Sequence, residues 1–231
     1  MKLAIVGYGK MGRLIEQLAP DYGFAVALKL DEFNNAGFAG LTAENFRGIQ
    51  VAVEFSTPEA AVGNIERIAA LGVNLVVGTT GWLEKLDYVR SLIERAGVGM
   101  VWSPNYSVGV HVFFRLAAEA ARLLAAEEDY GAWGWEMHHA AKKDAPSGTL
   151  LKLVEQMQQA GYRRPVHLSS TRAGRHPGVH EIGFDGAADT ITLRHTARSR
   201  EGFARGALKA ARWVIGKKGL FEFSDVLWGR A

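Results

Sequence analysis

The sequence predicts an α/β protein whose first part is a doubly wound parallel sheet and whose second part is a smaller α+β block. Short apolar runs alternate with segments of helical periodicity up to about residue 106. The first run ends in a glycine-rich turn that opens a helix. Beyond residue 106 the alternation stops, and long helices are mixed with strands of alternating polarity. These three observations predict the fold class and a domain boundary near residue 106.

The elements of the first part follow from apolar runs and helix signals. The first strand, Lys2 to Val6, leads through the glycine turn into a helix from Arg13 that stops at Pro20. Another helix starts at Thr57, because Pro58 at a first helical position loses no hydrogen bond, and it ends at Gly72. The other expected elements are strands at Phe24 to Leu30, Val51 to Phe55, Val73 to Val77 and Val98 to Trp102, and a helix from Leu83 to Ala96.

The second part combines long helices with extended segments. The expected helices are Val110 to Glu127 and Gly148 to Ala160, and the expected strands are Trp133 to His139, Val179 to Phe184 and Thr190 to Arg198. In the last strand Ile191, Leu193 and Ala197 share one apolar face, which either a second copy or the chain's own helices must cover. A final helix, Gly202 to Ile215, and the tail Leu220 to Leu227 are compatible with either domain.

The composition is that of an ordinary globular protein, with 48% hydrophobic and 22% charged residues. This balance excludes disordered, collagen-like and coiled-coil chains. The formal charge is 27 − 24 = +3, too small an excess to indicate nucleic-acid binding. The absence of cysteine excludes disulfides, thiolate zinc sites and cysteine nucleophiles. The N-terminus resembles a strand rather than a signal peptide, and no apolar run reaches the roughly 18 residues of a membrane span, so we expect a cytoplasmic enzyme or binding protein.

The glycine turn predicts a dinucleotide site. Gly7, Gly9 and Gly12 form G-x-G-x-x-G directly after a strand and before a helix, where free N–H groups stabilise a pyrophosphate. Asp31 lies 19 residues after Gly12 at the end of the second strand, where a carboxylate accepts hydrogen bonds from ribose hydroxyls. The alternative is a tight turn beside a solvated charge.

Three further loops are expected at the same carboxyl edge of the sheet. They are Phe55-Ser56, the turn Gly78 to Gly81, and the segment Ser103 to Tyr106. Each alone suits a plain turn, but their convergence beside the glycine turn favours a cofactor pocket. The candidate cofactor-binding residues are Gly7, Tyr8, Gly9, Lys10, Met11, Gly12, Asp31, Phe55, Ser56, Gly78, Thr79, Thr80, Ser103, Pro104, Asn105 and Tyr106.

The segment from Trp133 to Thr149 carries the most chemistry. If it begins as a strand, Glu136 and His138 face one side and offer a polar pair to a cleft. Ser147 is a candidate helix cap, which would leave the N–H groups of Gly148 and Thr149 to an anion such as a carboxylate. His139 and Lys142 add donors or charge, unless the histidines are structural and the lysines solvated.

The other polar residues are less specific. The remaining histidines show no metal-ligand spacing, so we expect no metal site. The stretch Arg172 to Arg175, with His180, either helps to hold an anionic substrate or forms a solvated loop.

The segment Glu136 to Thr149 closely resembles the signature of the dihydrodipicolinate reductase family, also called 4-hydroxy-tetrahydrodipicolinate reductase, of bacterial lysine and diaminopimelate biosynthesis. The shared pattern is His-His, two residues, Lys, one residue, then Asp-Ala-Pro-Ser-Gly-Thr. The resemblance covers nearly the whole chain in the family's order, at Glu54 to Glu59, Gly78 to Gly81, Pro104 to Val110, Arg172 to His180 and Gly219 to Phe221.

The resemblance implies a Rossmann-type dinucleotide-binding domain at residues 1–106, joined by the C-terminal segment 202–231. It implies a substrate-binding and tetramerisation domain at residues 107–201, whose open mixed sheet builds a homotetramer. The implied reaction is NADH- or NADPH-dependent reduction of 4-hydroxy-tetrahydrodipicolinate (dihydrodipicolinate), a cyclic imine dicarboxylate, to tetrahydrodipicolinate. By position, His138 is the implied acid/base residue, Lys142 the proton donor and His139 a substrate contact, while the backbone of Gly148 and Thr149 grips a carboxylate.

One departure from the family and two alternative functions remain. The turn from Gly7 to Gly12 is one residue shorter than the family's usual G-x-x-G-[RK]-M-G. Another Rossmann-fold amino-acid dehydrogenase would keep the glycine turn but would not need the His-His to Ser-Gly-Thr segment. An NAD(P)H-binding regulatory protein would usually carry a DNA-binding or interaction module, and no basic helix-turn-helix pattern occurs. Asp31 favours ribose hydroxyls over a 2′-phosphate, so we expect NADH to be used at least as well as NADPH.

Overall fold

The computed structural model describes residues 1–229, which form two compact units. The first consists of Met1–Ser107 together with the described residues from Glu201 onwards, and the second is Val108–Arg200. The sequence prediction put the boundaries after residues 106 and 201, and the functional division into a dinucleotide-binding and a substrate-binding domain stays a prediction.

The elements are numbered along the chain. The strands are β1 (Lys2–Val6), β2 (Ala25–Leu30), β3 (Val51–Glu54), β4 (Asn74–Val77), β5 (Gly99–Trp102), β6 (Gly131–His138), β7 (Val166–Arg172), β8 (Val179–Asp185), β9 (Thr190–Thr196) and β10 (Gly219–Glu222). The α-helices are α1 (Lys10–Leu18), α2 (Pro58–Ala70), α3 (Leu86–Ala96), α4 (Val108–Leu123), α5 (Gly148–Gln159), α6 (Glu201–Val214) and α7 (Phe223–Trp228). Short 3₁₀ helices occupy Ala19–Tyr22, Ala36–Phe38 and Leu83–Lys85.

The first unit is built on a six-stranded sheet in the order β10-β5-β4-β3-β1-β2, in which all neighbours are parallel. Helices cover both faces. Ile15 of α1 and Ala207 of α6 pack with Ile5 in one core, whereas Ile65 of α2 and Ile93 of α3 pack in the other. The predicted doubly wound, Rossmann-type sheet is confirmed. Because β1 lies between β2 and β3, the strand order reverses there, which is where open α/β sheets bind ligands.

The second unit is built on a four-stranded mixed sheet in the order β7-β6-β8-β9. Strand β7 runs parallel to β6, and the other neighbours are antiparallel. Leu150 of α5 and Phe113 of α4 pack against Ile182 of the sheet in one core. Along β6, Gly134, Glu136 and every second residue are buried on this side, while Trp133 and Trp135 lie half-buried on the other. This confirms the predicted α+β block.

The apolar face expected on β9 is covered in part by the chain itself. Leu193 packs against the core that α4 and α5 share with the sheet. The ring of His195, on the same face, stacks on Phe113 of α4 at a centroid distance of 6.2 Å. The chain's own helices therefore account for Leu193, whereas Ile191, at the start of β9, is 42% exposed. No helix within residues 108–200 covers the opposite face of this sheet.

Two strands were missed by the sequence prediction. Strand β7 has mostly polar residues in an edge position, so it lacks an apolar run. Strand β10 has only four residues, and its partner β5 lies far away in the sequence. Because β10, α6 and α7 belong to the first unit, the open question about the tail is answered in favour of that unit. No helix within residues 1–229 is long and apolar enough to cross a lipid bilayer.

Candidate active site

The glycine turn is held tightly at the end of β1. The N–H groups of Gly7 and Tyr8 both donate to the carbonyl oxygen of Leu30, at 2.8 and 3.1 Å. Gly7 has a φ of 97°, and a Cβ there would lie 2.1 Å from the carbonyl oxygen of Phe55. Gly9 caps α1, and a Cβ on it would meet no atom within 4 Å. The turn thus exposes backbone and a helix N-terminus to open space, which fits a pyrophosphate.

Two adjoining cavities of about 550 and 410 Å³ lie beside this turn. Gly9, Phe55 and Ser56 line both, and Arg13 and Phe38 line the larger one. The larger cavity is also lined by three other predicted cofactor residues, Gly7, Tyr8 and Asp31. The smaller cavity is also lined by five others, Lys10, Met11, Gly78, Thr79 and Thr80. The structure therefore brings most of the predicted residues to one place.

Five predicted cofactor residues line neither cavity: Gly12, Ser103, Pro104, Asn105 and Tyr106. Gly12 lies behind the turn, where a Cβ would be 2.5 Å from the carbonyl oxygen of Gly7, so its role is close packing. The Tyr106 side chain points away from both cavities. Its ring is buried in the core, and its hydroxyl lies 2.9 Å from the carbonyl oxygen of Val77. The hydroxyl of Ser103 is 2.6 Å from the carbonyl oxygen of Asn105 and shapes the loop.

Asp31 is fixed at the wall of the larger cavity. Its Oδ1 accepts hydrogen bonds from the N–H groups of Phe33 and Asn34, at 2.9 and 3.1 Å. Lys29, the nearest preceding cation in the sequence, is instead paired with Glu16 at 3.0 Å. The cation that lines the cavity together with Asp31 is Arg13. A carboxylate and a guanidinium thus both face the space where ribose is expected.

A buried carboxyl group that sequence reasoning missed supports the same edge. Glu54, at the end of β3, is fully buried, and its Oε1 accepts hydrogen bonds from the N–H and hydroxyl of Ser56 and from the amide of Asn64. Burial raises the pKa of Glu54. Since Ser56 and Asn64 both line the larger cavity, Glu54 holds part of its wall in place.

The second cluster lies on the helix-covered face of the sheet in the second unit. Glu136 is fully buried, and its Oε1 accepts hydrogen bonds from the N–H of Ser147 at 2.9 Å, the hydroxyl of Ser170 at 2.9 Å and Nη2 of Arg172 at 2.7 Å. Its Oε2 lies 3.5 Å from Nδ1 of His138 and 3.5 Å from Nε2 of His180. One carboxylate therefore connects β6, β7, β8 and the start of α5.

The environment sets the charges of this cluster. Burial alone raises the pKa of Glu136, but the hydrogen bonds from Ser147, Arg172 and Ser170 outweigh it and lower that pKa to about 2. Burial, with His138 nearby, lowers the pKa of His180 to about 4. Burial also lowers the pKa of His138, although Glu136 opposes that effect. At neutral pH the cluster holds a carboxylate, a guanidinium and two neutral imidazoles.

The loop between β6 and α5 places the other predicted substrate residues. Ser147 caps α5 as expected, since its Oγ accepts a hydrogen bond from the N–H of Leu150. Gly148 and Thr149 are the first two residues of α5. Because they lie in the first turn, their N–H groups have no partner within the helix. Lys142 Nζ lies 2.6 Å from Oδ1 of Asp144, an ion pair that the sequence did not indicate.

Glu136, His138 and His180 also place carboxylate and imidazole atoms within 4.8 Å of one another. No spacing in the sequence indicates this group, because His180 comes from another strand. The guanidinium of Arg172 already supplies a positive charge at 2.7 Å from the carboxylate. The cluster is therefore an ion-pair and hydrogen-bond network.

Comparison with known proteins identifies the family. The model described as dihydrodipicolinate reductase, N-terminus, matches residues 1–106, and the model described as dihydrodipicolinate reductase, C-terminus, matches residues 109–227. The chain belongs to the dihydrodipicolinate reductase family. The predicted resemblance is confirmed, and with it the predicted class of enzyme, a nicotinamide-dependent oxidoreductase of lysine and diaminopimelate biosynthesis.

Relatives in this family match over almost their full length. The chain is 36% identical to a 4-hydroxy-tetrahydrodipicolinate reductase of Thiobacillus denitrificans and 33% identical to one of Christiangramia forsetii, with 98% of both chains covered in each case. Among solved structures, a dipicolinate-bound dihydrodipicolinate reductase from Paenisporosarcina sp. TG-14 aligns with a TM-score of 0.81 at 22% identity, covering 96% of this chain and 97% of that one. That similarity shows the fold.

Proposed function

We propose that this chain reduces 4-hydroxy-tetrahydrodipicolinate to tetrahydrodipicolinate, with NADH or NADPH as the reductant. The observation that carries the proposal is the position of Glu136. This carboxylate joins the end of β6, which bears His138, to the start of α5, which bears Gly148 and Thr149. The two ends of the family's signature segment thus meet at one buried charge, while residues 140–145 between them form a largely exposed loop.

The start of α5 is proposed to hold one carboxylate of the substrate. The N–H groups of Gly148 and Thr149 are the first of the helix, where an anion gains from both the free donors and the helix dipole. His139, half-buried beside the loop, is proposed as a further substrate contact. Arg172 and Lys142 bring cationic groups to the same region, but each is paired with a carboxylate of the chain, so the α5 N–H groups are the donors left for a substrate carboxylate.

The proton chemistry is assigned to His138 and Lys142. A nicotinamide cofactor, when bound, would supply the hydride, and the 4-hydroxyl group of the substrate would leave as water. Lys142 is proposed as the proton donor to the ring, because its ammonium group is held near the cluster by Asp144. His138 is proposed as the acid/base residue that accepts or returns a proton, since its lowered pKa keeps the imidazole neutral at pH 7.

The nicotinamide cofactor is proposed to bind in the two cavities beside the glycine turn. Its pyrophosphate would lie at the N-terminus of α1, and Asp31 would accept hydrogen bonds from the adenosine ribose. Asp31 repels a 2′-phosphate, so NADH should be used at least as well as NADPH. Arg13 is the cation lining the same cavity and is proposed to retain some affinity for NADPH.

The cofactor preference can be tested with two variants and a control. Asp31→Ala should shift the ratio of dissociation constants toward NADPH, whereas Arg13→Ala should weaken NADPH more than NADH. Arg90→Ala, at an exposed position of α3, should change neither constant. Fluorescence titration with both nucleotides measures the effect. A strong NADPH preference that survives in Asp31→Ala would show that this carboxylate does not select the cofactor.

The activity itself is tested by a coupled assay. The unstable substrate is generated by a synthase in the same cuvette, and oxidation of NADH or NADPH is followed by absorbance. We expect oxidation that depends on both the synthase and this chain. If oxidation does not rise above the rate without synthase for either nucleotide, the proposed reaction is wrong.

The homotetramer and the cytoplasmic location also stay predictions.

A further inference from the structure

We propose that Glu136 is a positioning residue for His138, whose Nδ1–H points at Glu136 Oε2, so that Nε2 is the ring nitrogen that exchanges protons with the substrate. This inference rests on the proposed function, because it concerns the proton chemistry assigned to His138. It adds a group that does not contact the substrate and acts only through the imidazole.

The carboxylate of Glu136 is immobile. It is fully buried, and three donors from Ser147, Ser170 and Arg172 hold its Oε1. These donors come from α5's cap and from β7, so the carboxylate cannot turn without breaking contacts with two other elements. Its Oε2 is therefore fixed on the side of His138.

Glu136 Oε2 and His138 Nδ1 are the atoms that the proposal pairs. Among residues 1–229 both are buried and neither has a hydrogen bond, although only 3.5 Å separates them. An approach of a few tenths of an ångström brings them within the usual range for a hydrogen bond. A neutral imidazole has one donor and one acceptor nitrogen, and the donor belongs beside the carboxylate.

His180 does not compete equally for this oxygen. Its Nε2 is also 3.5 Å from Glu136 Oε2, but it has a second neighbour in the hydroxyl of Ser147 at 3.2 Å. The hydroxyl can donate to that nitrogen. Nδ1 of His138 has no such alternative among the described residues.

The other edge of His138 faces the backbone of Gly178. A Cβ at this position would lie 3.1 Å from Nε2 of His138, so any side chain there would crowd that nitrogen. Glycine keeps this edge of the ring uncovered from that side. The two nitrogens of His138 thus have different surroundings, a carboxylate at Nδ1 and a bare backbone at Nε2.

The charges around His138 come from several elements. Glu136 on β6 and Asp144 in the following loop are negative, Lys142 and Arg172 are positive, and His180 faces it from β8. His195 on β9 lies beyond His180. Removal of the Glu136 charge leaves two cations, Lys142 and Arg172, against the single carboxylate of Asp144, so protonation of His138 should require a lower pH.

The substitution Glu136→Gln separates positioning from mere packing. The new side chain keeps an acceptor for Ser147 and Arg172 but presents an NH₂ group to Nδ1 of His138. This donor should move the imidazole proton to Nε2. We expect a kcat loss of about 10²–10⁴-fold, the range for a misdirected acid/base group, with KM changed much less. The ionisation assigned to His138 in the pH profile of kcat/KM should move to lower pH.

The matched control is Glu119→Gln. Glu119 lies at an exposed position of α4 and pairs with Arg122 at 2.7 Å, so this variant removes a paired carboxylate without touching the cluster. It should retain the kcat and pH profile of the unmodified protein. Thermal unfolding of both variants reports whether they fold.

Nitrogen-15 NMR of the ring nitrogens gives a readout that does not depend on activity or on a variant. In the unmodified protein His138 should be protonated at Nδ1, and in Glu136→Gln at Nε2. An Nε2–H tautomer in the unmodified protein overturns the inference even if Glu136→Gln does not fold. A folded Glu136→Gln variant with unchanged kcat and pH profile overturns it as well. Failure of the coupled assay would instead reject the proposed function and leave the tautomer measurement standing.

Discussion

At the scale of single residues, His180 shows how burial sets the charge of a group whose partner is distant in sequence. Register places it opposite Glu136 on the neighbouring strand, and its side chain is buried beside His138. The sequence suggested only a residue near an anion-binding turn, because neither Glu136 nor Ser147 lies near it along the chain. Glu136 itself was expected on the same face as His138, but its bonds to β7 and α5 depend on tertiary packing.

The lowered pKa of His180 predicts that stability falls in mild acid. The unfolded chain takes up a proton near pH 6.5, whereas the folded chain does so only near pH 4. Protonation therefore favours unfolding between these values, by up to about 3 kcal/mol. Urea unfolding from pH 7.5 to 4.5 measures this slope. It should be shallower in His180→Gln, while the exposed His167 provides the control His167→Gln. Equal slopes in His180→Gln and the unmodified protein would contradict this assignment.

At the scale of elements, the sequence predicts local structure well and long-range pairing poorly. The order β1, glycine turn, α1 follows from an apolar run and three glycines, and the structure confirms it. The Ser147 cap of α5 is equally local. By contrast, β7 is a strand because it pairs with β6, and β10 because it pairs with β5. The seven residues of β7 and the four of β10 contain no pattern that reveals these partners.

Alanine substitutions at two glycines of the turn should affect different properties, NADH affinity for Gly9 and thermal stability for Gly7. Gly9→Ala places a methyl group in the open space of the cavity, so NADH should bind at least about tenfold more weakly with unchanged thermal stability. Gly7→Ala places a methyl group against the Phe55 carbonyl in a left-handed backbone, so the melting temperature should fall. Fluorescence titration and thermal melting measure both quantities.

The control for these variants is Gly131→Ala at the exposed start of β6. A Cβ there would be 4.0 Å from its nearest neighbour, so neither quantity should change. Normal NADH affinity in Gly9→Ala would show that the cofactor does not approach the turn.

At the scale of the whole molecule, the open sheet face predicts the assembly. The helices α4 and α5 cover one face of the mixed sheet, while Trp133 and Trp135 lie half-buried on the other. Large aromatic side chains on such a face suit a contact between copies. The proposed homotetramer would use this face rather than the Ile191 face from which the sequence argument began.

Light scattering tests this assembly. The expected mass is 4 × 25.2 kDa, about 101 kDa, and Trp135→Glu should lower it. Leu123, which is 61% exposed on α4, provides the comparison Leu123→Glu, which should keep the tetramer. A monomeric mass for active protein would reject the assembly. If Leu123→Glu dissociated the tetramer and Trp135→Glu did not, the contact between copies would lie on α4 instead of the open sheet face.

The assignment of the proton chemistry to His138 and Lys142 is decided by kcat of their alanine variants. Each substitution should lower kcat by about 10²–10⁴-fold. NADH affinity should stay nearly unchanged because the nucleotide is proposed to bind in the first unit, and His139→Ala should act mainly on KM. Near-normal kcat in folded His138→Ala and Lys142→Ala would refute the proposed mechanism and place the reacting groups elsewhere.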